Sequence, residues 1–202
     1  LGRADVGFSV FFSKKEIKNF DDFGKTKFWM WAEVEPIKLF ADAHGVKTLV
    51  PLSLSDVYTA LQTGIVDTVV ATYYTCIALQ WYTQFQYMTD VEKAGGVYAP
   101  ALLLLKKDVY HALPEDYKRI IKEVTGKYFP QLRKELRKTE EEAKKALIEK
   151  GMKVMELSSE FIKELQGKAN ELYQKMVEKY YPGWLLNEVL KIRNECRLSL
   201  QE

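Results

Sequence analysis

Hydrophobic and polar positions follow two different rhythms along this chain. As far as Leu105 the apolar residues come in short β-branched and aromatic runs separated by brief helical stretches. Beyond it they recur every third or fourth position, the period of a helix with one covered face. Phe8 to Ser13 predicts a strand, and Lys27 to Ala32 a second, with Asp21-Asp22-Phe23-Gly24 as the loop feeding it. Pro36 suits a first helical turn, continued by Ile37, Phe40 and Ala41 until Gly45 stops it. Lys47 to Pro51 predicts the next strand.

Val50 to Ala71, VPLSLSDVYTALQTGIVDTVVA, is the most telling stretch. It reads as strand, short helix, glycine stop and strand. Ser55 is placed as the helix N-cap, with Asp56 favouring the positive first turn. Val57, Tyr58 and Leu61 form one apolar stripe, and Gly64 supplies a left-handed C-cap. The strand after it runs from Val66 to Ala71. Such βαβα wording implies a mostly parallel sheet with helices on both faces, whose ligands bind outside the carboxyl ends of the strands.

Gly95-Gly96 precedes a further strand, Val97 to Leu105. Pro114, Glu115 and Asp116 then open a long helix in which Tyr117, Ile120, Ile121, Val124 and Tyr128 are expected to be the buried face. Pro130 should kink or interrupt it. Leu132, Leu136, Ala143 and Leu147 continue the seam, while the Lys/Glu run from Arg133 to Lys150 has the mixed signs of a solvated face. Met152 to Leu157 predicts a brief strand, and Ser158 or Ser159 caps the next helix, which packs Phe161, Leu165, Ala169, Leu172 and Met176. Pro182-Gly183 introduces the last helix, with Trp184, Leu185, Val189 and Leu190.

Composition removes several function classes. The 202 residues are 47% hydrophobic and 29% charged, enough for a sizeable core. A net charge of +2 and the lack of a basic, aromatic-interleaved cluster give no support to nucleic-acid binding. No apolar run approaches the ~20 residues of a membrane span. Cys76 and Cys196 are too few for a disulfide framework or a zinc site, and two buried free thiols are the expectation, with pairing the alternative. His44 and His111 sit in no metal-ligand spacing and suit surface or helix-end roles. There is no phosphate loop, nucleophile elbow or Cys–His pairing, so neither an enzyme nor a cofactor is expected.

Asp56-Val57-Tyr58-Thr59-Ala60-Leu61-Gln62-Thr63-Gly64 resembles the extracytoplasmic solute-binding subunit of TRAP transporters (DctP-type). The likeness extends to Phe12-Ser13-Lys14-Lys15 through Asp21-Asp22, to the strand Lys27-Phe28-Trp29-Met30-Trp31, to Asp67, and to Lys106-Lys107 with Pro114-Glu115-Asp116. It implies a two-lobed, periplasmic binding protein-like α/β fold with mostly parallel sheets and a helix-rich C-terminal half. Residues 7–90 would form the second lobe, 91–151 a crossover strand and long helix, and 152–202 a C-terminal strand and helices packing on the lobes. The family register already running by Gly7 implies that the family's N-terminal part lies outside this chain. A periplasmic location, a small organic solute and a pair of TRAP membrane subunits are the implied setting and partners. Another periplasmic protein is the alternative partner, if the fold has been kept and solute binding lost.

The resemblance also marks departures. Where the family's signature strand carries a carboxylate-binding arginine, this chain has Trp29. Where a second arginine commonly lies earlier it has Ser9, and Ala71 stands where a polar asparagine commonly follows the aspartate strand. A desolvated carboxylate without a cation costs several kcal/mol, so simple dicarboxylates become poor candidates. What surrounds the expected cleft is aromatic. The candidate ligand residues are Ser9, Phe11, Trp29, Trp31, Glu33, Ala71, Thr72, Tyr73 and Tyr74, with Trp81 a further candidate. Trp29 and Trp31 read either as strand core or as ligand contacts; alternation puts them on one face. Tyr73 and Tyr74 are equally open to packing, and Glu33 to an exposed loop.

Overall fold

In the computed structural model, residues 1–31, 35–90 and 97–199 are described. The organising element is a long first strand, β1 (Gly2–Ser13). It is followed by α1 (Phe20–Gly24), β2 (Lys27–Trp31), α2 (Glu35–Ala43), β3 (Thr48–Leu52), a 3-10 turn (Leu54–Asp56) that runs into α3 (Val57–Thr63), and β4 (Thr68–Ala71). Next come α4 (Tyr73–Ala78), a 3-10 turn (Trp81–Gln84), β5 (Tyr87–Thr89), β6 (Val97–Leu103), α5 (Lys107–Ala112) and α6 (Glu115–Glu149). The chain then forms β7 (Lys153–Met155), α7 (Ser159–Met176) and α8 (Gly183–Ser199).

The strands order as β3-β2-β4-β1-β5-β7, with β6 also on β1. β2 is parallel to β3 and β4, and β5 is parallel to β7, whereas β1 is antiparallel to β4, β5 and β6. The first part of β1, from Gly2 to Ser9, pairs with β6, and Val10 to Ser13 pair with β4. The register shifts between Asp5 and Gly7, where Gly7 takes a φ of +123°. Only glycine adopts that conformation freely, and a Cβ there would stand 2.8 Å from Glu140 Cγ on α6. β1 therefore bends at Gly7 with α6 laid against it.

Period-2 alternation sorts the sheet's two faces. Val10, Phe12, Trp29, Val69, Ala71 and Met88 pack with Val57 and Leu61 of α3, with Trp81, and with Ala143 and Leu147 of α6. On the other face Phe28 joins Phe23, Ala41, Val46 and Phe161. The C-terminus of α2 is finished by its neighbours: His44 Nδ1 lies 2.7 Å from Phe40 O, and Lys168 Nζ donates to Ala43 O at 2.8 Å. His44 is buried and stacked on Phe40, the helix-end role its position suggested.

Several local expectations hold. Gly64 is left-handed at φ +72° and caps α3, and the Ser158 hydroxyl accepts the Phe161 amide at the start of α7. Others need correction. α3 is not capped by Ser55: the turn begins at Leu54, with extended Ser53 before it, and the Ser53 hydroxyl donates to the Asp56 carboxylate at 2.6 Å. α6 is not interrupted at Pro130, where Gly126 stands four residues back, at the carbonyl a proline ring crowds. Its expected buried face is turned outward, with Tyr117, Ile120, Val124 and Tyr128 each about half exposed among the described residues. The covered residues of that helix are Thr125, Ala143 and Leu147. Both thiols are free, but only Cys76 is buried, while Cys196 is exposed.

Candidate functional site

The parallel strands β2, β3 and β4 end together. Trp29 pairs with Val50, Trp31 with Leu52 and Phe28 with Thr68, so extending the last register puts Trp31 level with Ala71. This is the sheet end at which open α/β folds present ligands.

Trp29 forms its floor. The ring is 7% exposed, its Nε1–H donates to Leu52 O at 3.1 Å, and Trp81 meets it edge-on at 5.6 Å. Trp31, two residues on, shares that side, its ring centroid 6.0 Å from that of Trp29, and is 56% exposed. The two rings therefore differ in burial. Trp29 is packed into the core below, and Trp31 offers a ring to solvent above.

The turn after β4 supplies the remaining neighbours. Ala71 and Thr72 are buried, and the Thr72 hydroxyl caps α4 by accepting the Thr75 amide at 3.2 Å. Tyr73 is buried, edge-on to Phe12, with its hydroxyl donating to Thr89 O at 3.2 Å. Tyr74 is 49% exposed. Phe11 lies on the opposite face, edge-on to Phe23 at 4.9 Å and near Phe28 and Phe40. Ser9, half-buried on the same side of β1 by alternation, pairs with Val97. Glu33 lies outside the described residues. The strand ends therefore gather Trp29, Trp31 and residues 71–74, while Phe11 stands apart.

One acidic residue here was not anticipated. Glu140 reaches from α6 to the start of α4 and accepts the Tyr73 amide at 2.9 Å and the Tyr74 amide at 3.0 Å. Burial raises its pKa above the ordinary carboxyl value, against hydrogen bonds from the Tyr74 amide, the Thr72 hydroxyl and the Tyr73 amide that lower it. One turn toward the helix N-terminus lies a contact to a second acid, the buried Asp5 of β1. Asp5 accepts the Tyr98 hydroxyl at 2.5 Å and Arg137 through Nε at 2.9 Å and Nη2 at 2.7 Å. The Tyr98 hydrogen bond, helped by Arg137, holds the Asp5 pKa below the ordinary value although burial opposes it. Lys144 bonds Asp90 at 3.1 Å and lies 6.0 Å from the Tyr73 ring. Nothing in the Glu140-Glu141-Glu142 run distinguishes Glu140, because its partners are 66 and 67 residues away.

No cluster of three metal-ligating side chains occurs among the described residues. The Cys76 thiol is pushed far up by burial and is thereby inert. His44 is packed against Phe40 on the other side of the sheet. No helix among the described residues is long and apolar enough to cross a membrane.

Comparison with known proteins identifies the family and the fold. The model of the bacterial extracellular solute-binding proteins, family 7, matches residues 1–180. Among solved structures, the chain is similar to a TRAP periplasmic solute-binding protein of Haemophilus influenzae RdAW with bound L-gulonate. That match has a TM-score of 0.84 at 23% identity and covers 96% of this chain and 62% of that one. The TRAP periplasmic solute-binding protein of Desulfovibrio salexigens with bound orotic acid gives 0.79 at 19%, over 96% and 60%. The periplasmic ectoine-binding protein of the TeaABC TRAP transporter of Halomonas elongata gives 0.79 at 19%, over 88% and 56%. This chain thus spans less than two thirds of each of these proteins. No curated protein matches it.

Proposed function

We infer that this chain, which belongs to family 7 of the bacterial extracellular solute-binding proteins, takes part in capturing a small organic, partly apolar solute for a TRAP-type transporter. The family is one of binding receptors, not enzymes. In this reading residues 7–90 are one lobe, 91–151 the crossover strand and long helix, and 152–202 the C-terminal packing elements. Lobe closure around the solute would present the closed form to the membrane subunits outside the cytoplasm.

The observation that carries the solute's character is Trp31. An indole more than half exposed at the carboxyl end of a parallel strand, braced by a second tryptophan, is a stacking surface with little ordering cost. Trp29, Ser9 and Ala71 supply no cation where organic acids would need one, so burial and stacking must do the holding.

Intrinsic fluorescence and thermal shift test the reading. An aromatic or partly apolar solute should quench Trp31 and raise Tm by mass action, and Trp31→Ala should abolish both effects. Succinate should do neither. Tight succinate binding, or solute binding indifferent to Trp31, would refute it. A second reading is favoured by the burial of Trp29, whose indole N–H is already taken by Leu52. A protein that kept the fold and lost solute binding would serve as a docking partner for another periplasmic protein and would respond to no solute in that screen.

A further inference from the structure

α4 opens at the sheet end that carries Trp31, and it is too short to hold its own start. The first four amides of any helix lack partners within it. Two of them are met locally: Thr72 Oγ1 accepts the Thr75 amide at 3.2 Å, and Thr72 O accepts the Cys76 amide at 3.1 Å. The other two go to Glu140 of α6, whose Oε2 accepts the Tyr73 amide at 2.9 Å and whose Oε1 accepts the Tyr74 amide at 3.0 Å. The start of α4 is therefore set by its own Thr72 and by one side chain 66 and 67 residues away along the chain.

The path of that side chain is built into β1. At Gly7 a Cβ would stand 2.8 Å from Glu140 Cγ, 3.1 Å from Cδ and 3.3 Å from Oε2, so the missing side chain leaves room for the carboxylate to pass. α6 has other fastenings here. Ala143 and Leu147 are buried, Arg137 holds Asp5 of β1, and Lys144 holds Asp90 beyond β5. What Glu140 adds is a fixed relation between α6 and residues 72–74.

That hold depends on a carboxylate. Its two oxygens accept two N–H groups without conflict only while ionised; a protonated carboxyl, or glutamine in its place, sets a donor against one amide. The partly buried Tyr73 amide keeps the remaining acceptor, and the solvent-open Tyr74 amide is released to water. The charged groups around Glu140 are already engaged, Arg137 with Asp5 and Lys144 with Asp90, while α4 presents the Thr72 hydroxyl and the two tyrosines.

We propose that Glu140 is a positioning residue of the solute site: without touching the solute, it holds residues 72–74, and half-exposed Tyr74 with them, in the place from which a solute beside Trp31 is met. This rests on the solute-binding reading above.

Calorimetric titration of the intact chain with benzamide, a neutral aromatic probe, tests it. Losing one hydrogen bond to a charged acceptor leaves the turn in place about a tenth of the time, so Glu140→Gln should bind about tenfold more weakly at about pH 8. Circular dichroism should show the variant folded. As pH falls through the Glu140 pKa, which burial raises, wild-type affinity should drop toward that of the variant, whose profile stays flat. Arg137→Ala unfastens α6 from Asp5 and should leave affinity unchanged. Equal affinities of wild type and Glu140→Gln, parallel pH profiles, or an Arg137→Ala loss as large as that of Glu140→Gln would overturn the proposal and leave the solute reading standing. A wild type that binds neither benzamide nor the equally neutral benzyl alcohol brings down the solute reading itself, and the positioning role with it.

Discussion

Removing the Glu140 carboxylate tests how α6 is fastened to the turn after β4. The side chain accepts two backbone amides, of which that of Tyr73 is partly buried and that of Tyr74 is open to solvent. An amide bonded to a charged acceptor contributes about 1.5–3 kcal/mol. Water replaces the Tyr74 bond cheaply in Glu140→Ala, so the Tyr73 amide carries most of the cost. Discounted for partial exposure, the expected loss is about 2 kcal/mol.

Glu140→Gln should behave differently. It keeps one acceptor and sheds a charge that burial penalises, so the two effects oppose and the net change should stay within about 1 kcal/mol. The pH dependence separates them. The folded pKa of Glu140 is raised by burial, so the folded state holds the proton more tightly than the unfolded chain does. Stability from this group is full below the unfolded value of about 4.3 and is lost as pH rises through the folded pKa. Urea unfolding of wild type and Glu140→Gln from about pH 4 to about pH 8 should show the variant gaining on wild type as pH rises. A variant that loses ground over that range would mean the amides stabilise the carboxylate more than burial destabilises it, and the reasoning would be wrong. Hydrogen exchange at the Tyr73 amide should accelerate in Glu140→Ala and serves as the local readout.

Three further outcomes follow from single sites. Trp29→Ala should cost about 3–5 kcal/mol in urea unfolding, as loss of a buried aromatic does, whereas Trp31→Ala should stay within about 0.5 kcal/mol because it empties no core. Burial lowers the His44 pKa, so the neutral ring is the folded form; its contribution is present above the unfolded value of about 6.5 and is lost as pH falls below it. His44→Phe should lack that component of the acid sensitivity, and an unchanged pH profile would refute it. Ser158→Ala should cost about 1 kcal/mol through its lost cap, while Ser55→Ala should be nearly neutral, since it caps no helix.

Local physics determined much of this protein from sequence alone. Alternation placed Trp29 and Trp31 on one face, and the absence of a side chain let Gly64 turn left-handed at the end of α3. A hydroxyl before acidic Glu160 and apolar Phe161 located the start of α7, and the Asp56–Gly64 wording identified the family. Each of these depends on residues within a turn or two of each other. Tertiary structure decided what period cannot state, namely which neighbour covers a face and how deeply. Trp29 sank because Trp81 and Leu52 close over it, and Trp31 did not, although the two share strand, face and chemistry. The stripe Tyr117–Tyr128 has the spacing of a buried face yet lies open, because its period marks a surface able to be covered and says nothing of what covers it. Phe11 went to the opposite side with Phe23 because it sits across from Val70 rather than Val69 or Ala71, a register no local signal in β1 announces. Asp5 with Arg137, 132 residues on, and Glu140 with Tyr73 look like ordinary surface charges in the sequence. They find these partners, with Asp5 buried and Glu140 half-buried, only because the chain bends at Gly7 and lets α6 lie across it.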